Sequence, residues 1–148
     1  MTNREACRLR DIATGLAETH RRAAAAYREM AGHADSTLAH CLLECLAKRE
    51  DQLAGEVAVL AGRVDPGARV PRPVPAPPEV PPVTGERLDV DAVIAKATRL
   101  EKAIETLLHA VASPPVHEPA LLAELFAIHR RELLGLGAEA SRLRQSLE

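Results

Sequence analysis

A proline-rich segment in the middle of the chain limits the fold more than any other feature of the sequence. Residues 66–82 read PGARVPRPVPAPPEVPP and hold eight of the eleven prolines. Proline breaks helix interiors and lacks the amide donor that a central strand needs, so we expect this segment to be extended. A polyproline II connection of about 22 residues reaches roughly 60–70 Å, at about 3.1 Å per residue. It can therefore run the full length of a helix of about 28 residues, which is about 42 Å long.

The sequence on both sides of this segment has the periodicity of long amphipathic helices, because apolar residues recur every three or four positions. The predicted helices cover residues 3–32, 36–62, 89–112 and 118–147, joined in the middle by a crossover over residues 63–88. Thr2 with Glu5 fits a capping box at the start of the first helix. Caps are also predicted for the second helix, at Asp35 or Ser36, and for the third helix, at Asp89.

The composition favours an all-α fold in one domain over residues 1–148. Hydrophobic residues make up 47% of the chain, yet it has one Phe, one Tyr and no Trp. Its core must therefore consist of Leu, Ala, Val and Ile. Cores rich in alanine suit closely packed helices rather than a β-sandwich or barrel. A crossover as long as a helix would make the third helix parallel to the second.

Charge and hydropathy exclude two classes of partner. The net charge of −2 gives no basic surface for nucleic acid. The apolar runs are far shorter than the roughly 18 residues that a membrane span needs. The charged start MTNREACRLRD has no signal-peptide apolar region, and the three cysteines suggest reduced thiols. We therefore predict a cytoplasmic protein that binds neither nucleic acid nor a membrane.

The two helical halves resemble each other. LLECLAKREDQL (42–53) aligns with LAELFAIHRREL (122–133) at an offset of 80 residues. A single helical hairpin cannot bury its apolar face alone, so two hairpins related by a pseudo-twofold axis would form one bundle. Chance similarity between helices rich in Leu, Ala and Glu is the alternative explanation.

Two segments resemble the ferritin-like superfamily, in particular its small rubrerythrin-like bacterial members. HRRAAAAYREMAGHADSTLAHCLLECLAKREDQLAGE (20–56) is similar to the first helical hairpin of that family. DVDAVIAKATRLEKAIETLL (89–108) is similar to its third helix. The resemblance implies a ferritin-like four-helix bundle of two helical hairpins, with the long proline-rich crossover between helices 2 and 3.

The resemblance also implies a position for a di-iron or manganese site, whose family ligands are a Glu from two helices and Glu-x-x-His from the other two. This chain departs from that pattern at most positions. His20 stands where the first helix of the family has Glu, and Leu53 replaces the His that should follow Glu50. Arg130 and Leu133 occupy the aligned pair on the fourth helix.

An altered metal site is the alternative to a lost one. On the third helix, Glu101 or Glu105 could serve as a ligand. A shift of one residue on the fourth helix brings in His129 and Glu132, an inverted His-x-x-Glu pair. The altered ligand set is His20, Glu50, Glu105, His129 and Glu132.

Two functions follow from these alternatives. The first is a non-catalytic bundle without a cofactor, a structural or protein-interaction module that forms a homodimer. The second is a metal-binding oxidoreductase or an iron-handling protein with the altered ligand set. Clustering of His20, Glu50, Glu105 and His129 around one core cavity would favour the second function.

Two further features have simple structural interpretations. Cys41 and Cys45 share one helix face and could bind a soft metal ion, but buried cysteines commonly act as small hydrophobes, so we predict core positions for both. Cys7 is interpreted in the same way. The Pro75–Pro78 spacing beside Arg72 resembles ligands of aromatic-grooved adaptor domains, and a stiff spacer is the alternative.

Overall fold

The computed structural model describes residues 7–70, 74–112 and 119–147. Across these ranges four helices and two short strands follow in the order β1 (Cys7–Arg8), α1 (Leu9–Ala31), α2 (Thr37–Arg63), β2 (Arg69–Val70), α3 (Val90–Ala112) and α4 (Pro119–Leu147). The chain is mostly helical, which confirms the all-α class. The predicted helix bounds differ from the observed ones chiefly at the start of α1.

The prediction placed the first helix from residue 3, but α1 begins at Leu9. Cys7 and Arg8 are extended instead and pair antiparallel with Val70 and Arg69. The amide of Leu9 then donates a hydrogen bond to the carbonyl of Ala68 at 3.0 Å. Pairing between segments distant in sequence therefore overrides the local helical pattern at these two residues. The Thr2–Glu5 capping box lies outside the described residues.

Helices α1 and α2 form an antiparallel hairpin. The side chain of Ser36, one of the two predicted caps, accepts a hydrogen bond from the amide of Ala39 at 3.1 Å. At the other end of the hairpin, the guanidinium group of Arg10 donates to the carbonyl of Val64 at 2.8 Å. The cap stabilises the first turn of α2, and the Arg10 contact holds the C-terminal end of α2 against the start of α1.

Loss of the Ser36 cap should destabilise the protein. Substitution Ser36→Ala leaves the first-turn amide of Ala39 without its acceptor, and we expect the free energy of unfolding to fall by about 1 kcal/mol. The matched control Ser36→Gly should lose only a few tenths of a kcal/mol. Urea denaturation followed by circular dichroism measures both values. Equal losses for the two variants would contradict a capping role.

The proline-rich connection runs back along the helices. It leaves the C-terminal end of α2 beside the start of α1, where Ala68 contacts Leu9. It ends beside the α1–α2 turn, where the amide of Leu88 donates to His33 at 3.2 Å and the amide of Asp35 donates to Leu88 at 2.8 Å. Since α3 begins immediately after this point, α2 and α3 start at the same end and run parallel.

Helices α3 and α4 form a second antiparallel hairpin. Asp89, the predicted cap, accepts a hydrogen bond from the amide of Ala92 at 2.8 Å. The rings of His109 and Phe126 lie 5.3 Å apart between centroids. Since His109 is near the end of α3 and Phe126 near the start of α4, this contact fixes the antiparallel direction.

Ion pairs link α4 to α2 across the surface. The guanidinium group of Arg131 lies 2.9 Å from the carboxylate of Glu56, and that of Arg63 lies 3.7 Å from the carboxylate of Glu124. Both pairs are largely exposed, and such surface pairs contribute little to stability. They nevertheless show that α2 and α4 run antiparallel.

The core consists of aliphatic side chains with Tyr27 as its one aromatic residue in the described part of the chain. On α2 the inward face carries Leu42, Leu43, Leu46 and Ala47. Cys41 and Cys45 lie outside this buried face of the helix and are exposed. The predicted core positions of these two cysteines are therefore wrong, and the side chain of Cys7 lies outside the described residues. Among the described residues, every helix lacks the continuous apolar stretch that a membrane span requires.

Candidate functional site

Four buried histidine and glutamate residues, one from each helix, lie in the otherwise apolar interior. We call this group the core quartet, and its members are His20, Glu50, Glu101 and His129. Their exposed fractions are 4%, 1%, 2% and 7% respectively. Ionisable side chains are seldom this buried unless they are paired, so the quartet is the most unusual chemistry in the described interior.

Helical periodicity explains why the quartet faces inward. His20 follows Leu16 by four residues and precedes Tyr27 by seven, and all three are buried on α1. Glu50 lies between Leu46 and Leu53 on the buried face of α2. Residues spaced by three, four or seven positions share a helix face, so the apolar neighbours carry the polar side chains into the core.

The first half of the quartet joins α1 to α2. His20 Nδ1 and Glu50 Oε2 are hydrogen-bonded at 2.5 Å. Burial raises the pKa of Glu50 above its usual 4.5, while the hydrogen bond and the charge of His20 act in the opposite direction. The negative charge of Glu101 also raises the pKa of Glu50, so the second half of the quartet influences the first electrostatically.

The second half joins α3 to α4 with poorer geometry. His129 Nδ1 lies 3.2 Å from Glu101 Oε2, which is an ion-pair distance. The contact is not a hydrogen bond, however, and Glu101 Oε2 has no hydrogen-bond partner among the described residues. His129 Nε2 is likewise buried and without a partner there. Each unpartnered buried polar atom costs stability unless water or an ion satisfies it.

A small cavity lies between the two pairs. Its polar lining comes from His20, Glu101 and His129, and its volume is about 10 Å³. Apolar side chains form the remaining walls: Leu16, Leu53, Val57, Ile104, Leu108, Leu125 and Ile128. A volume of this size admits at most the centre of one water molecule or one small ion. The cavity therefore offers a single polar position inside the core.

The structure brings together only part of the predicted ligand set. His20, Glu50 and His129 lie in the quartet, whereas Glu105 is half-exposed and lies 3.5 Å from His109 Nε2. The side chain of Glu132 lies outside the described residues. Glu101, considered on the third helix beside Glu105, is the carboxylate that faces the cavity. Its signal in the sequence is its place between Ala97 and Ile104 on the apolar face.

The arrangement of the quartet is that of two separate pairs. Across the described residues, no group of three or more His, Cys, Asp or Glu side chains is placed to hold a metal ion. The donor types suit a divalent transition metal, but their present pairing does not converge on one point. No protein-family model, curated protein or solved structure matches this chain.

Proposed function

We propose that the chain is a ferritin-like four-helix bundle that serves as a non-catalytic structural or interaction module. The observation that carries this proposal is the pairing of the core quartet. Each buried histidine faces a buried glutamate of the other helix in its own hairpin. Side chains that already lie against one another within each hairpin leave few donors for a shared catalytic ion.

The topology supports the ferritin-like part of the proposal. Two antiparallel hairpins are joined by a connection that makes α2 and α3 parallel, and such a long crossover is the connectivity of ferritin-like bundles. Short connections throughout would give an up-down-up-down bundle instead. Fold alone does not determine function, so the chemistry of the quartet decides between the two functional alternatives.

In this proposal the two pairs align the helices. A buried ionic group is satisfied only when its partner is in place, so His20 and Glu50 favour one register of α1 on α2. His129 and Glu101 do the same for α3 and α4. Homodimer assembly belongs to the same proposal.

Metal binding is the second candidate, and the unpartnered atoms favour it. His129 Nε2 and Glu101 Oε2 are buried without hydrogen bonds within the described structure, and both residues line the small cavity. Together with His20 they would supply two imidazoles and a carboxylate, a donor set that suits iron, manganese or zinc. A bound ion would add Lewis-acid or, for iron and manganese, redox chemistry. His20 would have to give up part of its pairing with Glu50.

Elemental analysis distinguishes the two candidates. The protein is produced with added iron, manganese and zinc and purified without an affinity tag. For a non-catalytic module we expect far less than one ion per chain, and no change in thermal stability when a chelator is added. Near-stoichiometric metal that is lost in His129→Gln but kept in His109→Gln would overturn the proposal. His109 is the matched control because its side chain is largely exposed, whereas that of His129 is buried.

A further inference from the structure

Cys41 and Cys45 form a thiol pair on α2 that neither the core quartet nor the proposed structural role uses. Both cysteines are free and exposed. Cysteine is among the residue types that are most often buried, so two exposed cysteines about one helical turn apart are unusual. Because four positions separate them, both side chains leave the same face of the helix. The structure thus holds two thiols side by side at the surface.

The buried face of α2 fixes the direction of the thiol pair. Leu42 and Leu46, each one position after a cysteine, are 1% and 2% exposed. Successive residues of a helix lie about 100° apart around its axis, since one turn takes about 3.6 residues. A rotation of α2 that buried the cysteines would therefore carry these leucines towards solvent. The thiol pair stays at the surface as long as the bundle is folded.

The helix keeps the two thiols too far apart for a disulfide. Side chains four residues apart on a helix have Cβ atoms about 5–6 Å apart. A disulfide needs Cβ atoms about 3.5–4.5 Å apart. Closing a disulfide would therefore distort α2 well inside its span from Thr37 to Arg63. The pair remains a dithiol while the helix is intact.

One metal ion can bridge the distance that a disulfide cannot. A metal–thiolate bond is about 2.3 Å long in zinc sites, so two sulfur atoms on opposite sides of one ion are about 4.6 Å apart. This separation suits Cβ atoms about 5–6 Å apart, because each thiol group then points outward with only a slight turn towards the other. The same spacing brings the two histidines of a helical His-Glu-x-x-His motif to one zinc ion.

The donors of this surface favour a soft monovalent ion. Thiolates select soft ions such as Cu(I), whose filled d shell allows it to bind two ligands on opposite sides. Zinc takes four ligands in structural sites, but no three His, Cys, Asp or Glu side chains of the described residues are placed around one point. The neighbouring His40 is held elsewhere, with Nδ1 hydrogen-bonded to the carbonyl of Ala31 at 2.9 Å and Nε2 3.9 Å from Glu44.

We propose that Cys41 and Cys45 form a surface Cu(I) site, in which the two thiolates hold one ion per chain. Binding releases the thiol protons to solvent, so the affinity rises with pH. Because both thiols are exposed, a further thiolate can approach the ion, and the site can exchange Cu(I) with other thiol ligands. This inference goes beyond the proposed structural role and does not depend on whether the core quartet holds a metal ion.

Competition between the reduced protein and the chromogenic chelator bicinchoninate, under anaerobic conditions, measures the affinity for Cu(I). We expect one tightly bound Cu(I) per wild-type chain. Cys41→Ser and Cys45→Ser should each weaken binding by at least about a hundredfold, since loss of an outer-shell partner alone costs about 10–100-fold. Cys7→Ser, which removes the third cysteine, and His129→Gln, which alters the core quartet, should both leave the affinity unchanged.

A variant with the same number of thiols tests the spacing. Cys45→Ala/Lys48→Cys moves the second thiol to an exposed position seven residues after Cys41. Seven residues rise about 10 Å along a helix, too far for one ion to bridge. The affinity should therefore fall as in the single variants, with the helical circular dichroism signal retained.

Three results would overturn the proposal. The first is wild-type affinity in the Cys45→Ala/Lys48→Cys variant, because the spacing would then not matter. The second is wild-type binding no tighter than that of Cys41→Ser. The third is a doubling of the mass in size-exclusion chromatography when Cu(I) is added, because the ion would then be shared between two chains instead of held within one.

Discussion

Substitution His20→Leu should lower the free energy of unfolding by about 3–5 kcal/mol at neutral pH, because it leaves the carboxylate of Glu50 buried without its partner. Glu50 is 1% exposed, so water cannot replace the lost hydrogen bond without local opening. The expected loss is a large share of a typical total stability of about 5–15 kcal/mol. Chemical denaturation monitored by circular dichroism measures the loss.

The double variant His20→Leu/Glu50→Leu is the control that separates pairing from packing. Replacing both members of a buried ion pair by hydrophobic residues is often neutral or stabilising, by about 1–4 kcal/mol. We therefore expect the double variant to recover most of the stability that the single variant loses. A double variant as unstable as His20→Leu would mean that the shape of the imidazole, rather than the pair, matters at this position.

The loss of stability in the single variant His20→Leu should depend on pH. The pKa of Glu50 is raised in the folded state, so the folded protein binds this proton more tightly than the unfolded chain does. The stabilisation that comes from this tighter proton binding is fully present below pH 4.5 and is lost as the pH rises through the raised pKa of Glu50. Without His20, both of its contributions that lower the pKa of Glu50 disappear, and the pKa rises further. The deficit of His20→Leu should therefore shrink as the pH falls from neutral towards 4.5.

Local signals in the sequence predict the helices and their caps well. Ser36 and Asp89 are capping residues because short polar side chains reach the free amides of the first turn. The length of the crossover follows from the stiffness of its prolines in the same way. These features depend on residues that are close in sequence, so they can be predicted from the sequence alone.

Features that depend on distant residues are not predictable in this way. Cys7 and Arg8 are extended because β2 pairs with them, and no local pattern around these residues indicates this partner. Cys41 and Cys45 are exposed because leucines occupy the inner face of α2. Their hydrophobic character alone predicts burial, and only the phase of the complete helix corrects it.

The core quartet shows why the candidate site was only partly predictable. The first hairpin carries histidine on α1 and glutamate on α2, whereas the second carries glutamate on α3 and histidine on α4. His129 also lies one residue before the position that aligns with Glu50 in the 80-residue repeat. The two halves thus carry a polar pair within one residue of the aligned positions but exchange its members. An alignment of identical residues cannot detect this exchange.

Core truncation tests whether the two hairpins form one cooperative unit. Leu43 of α2 and Leu108 of α3 are 0% and 1% exposed. Substitution of either residue by alanine should lower the free energy of unfolding by about 2–5 kcal/mol, because it removes buried methyl groups and leaves a cavity. Val59→Ala is the control on α2, since Val59 is 58% exposed and should change stability by less than about 0.5 kcal/mol.

Tyr27 allows the hairpins to be followed separately. It is the single tyrosine of a chain without tryptophan, and it is buried on α1, so its fluorescence reports on the first hairpin. Circular dichroism reports on all the helices together. If the core formed by both hairpins unfolds in one step, Leu108→Ala shifts the tyrosine transition and the dichroism transition to the same denaturant concentration. A tyrosine transition that stays at the wild-type midpoint in Leu108→Ala would show that the two hairpins fold independently. In that case the His20–Glu50 pair and the His129–Glu101 pair would each stabilise only their own hairpin.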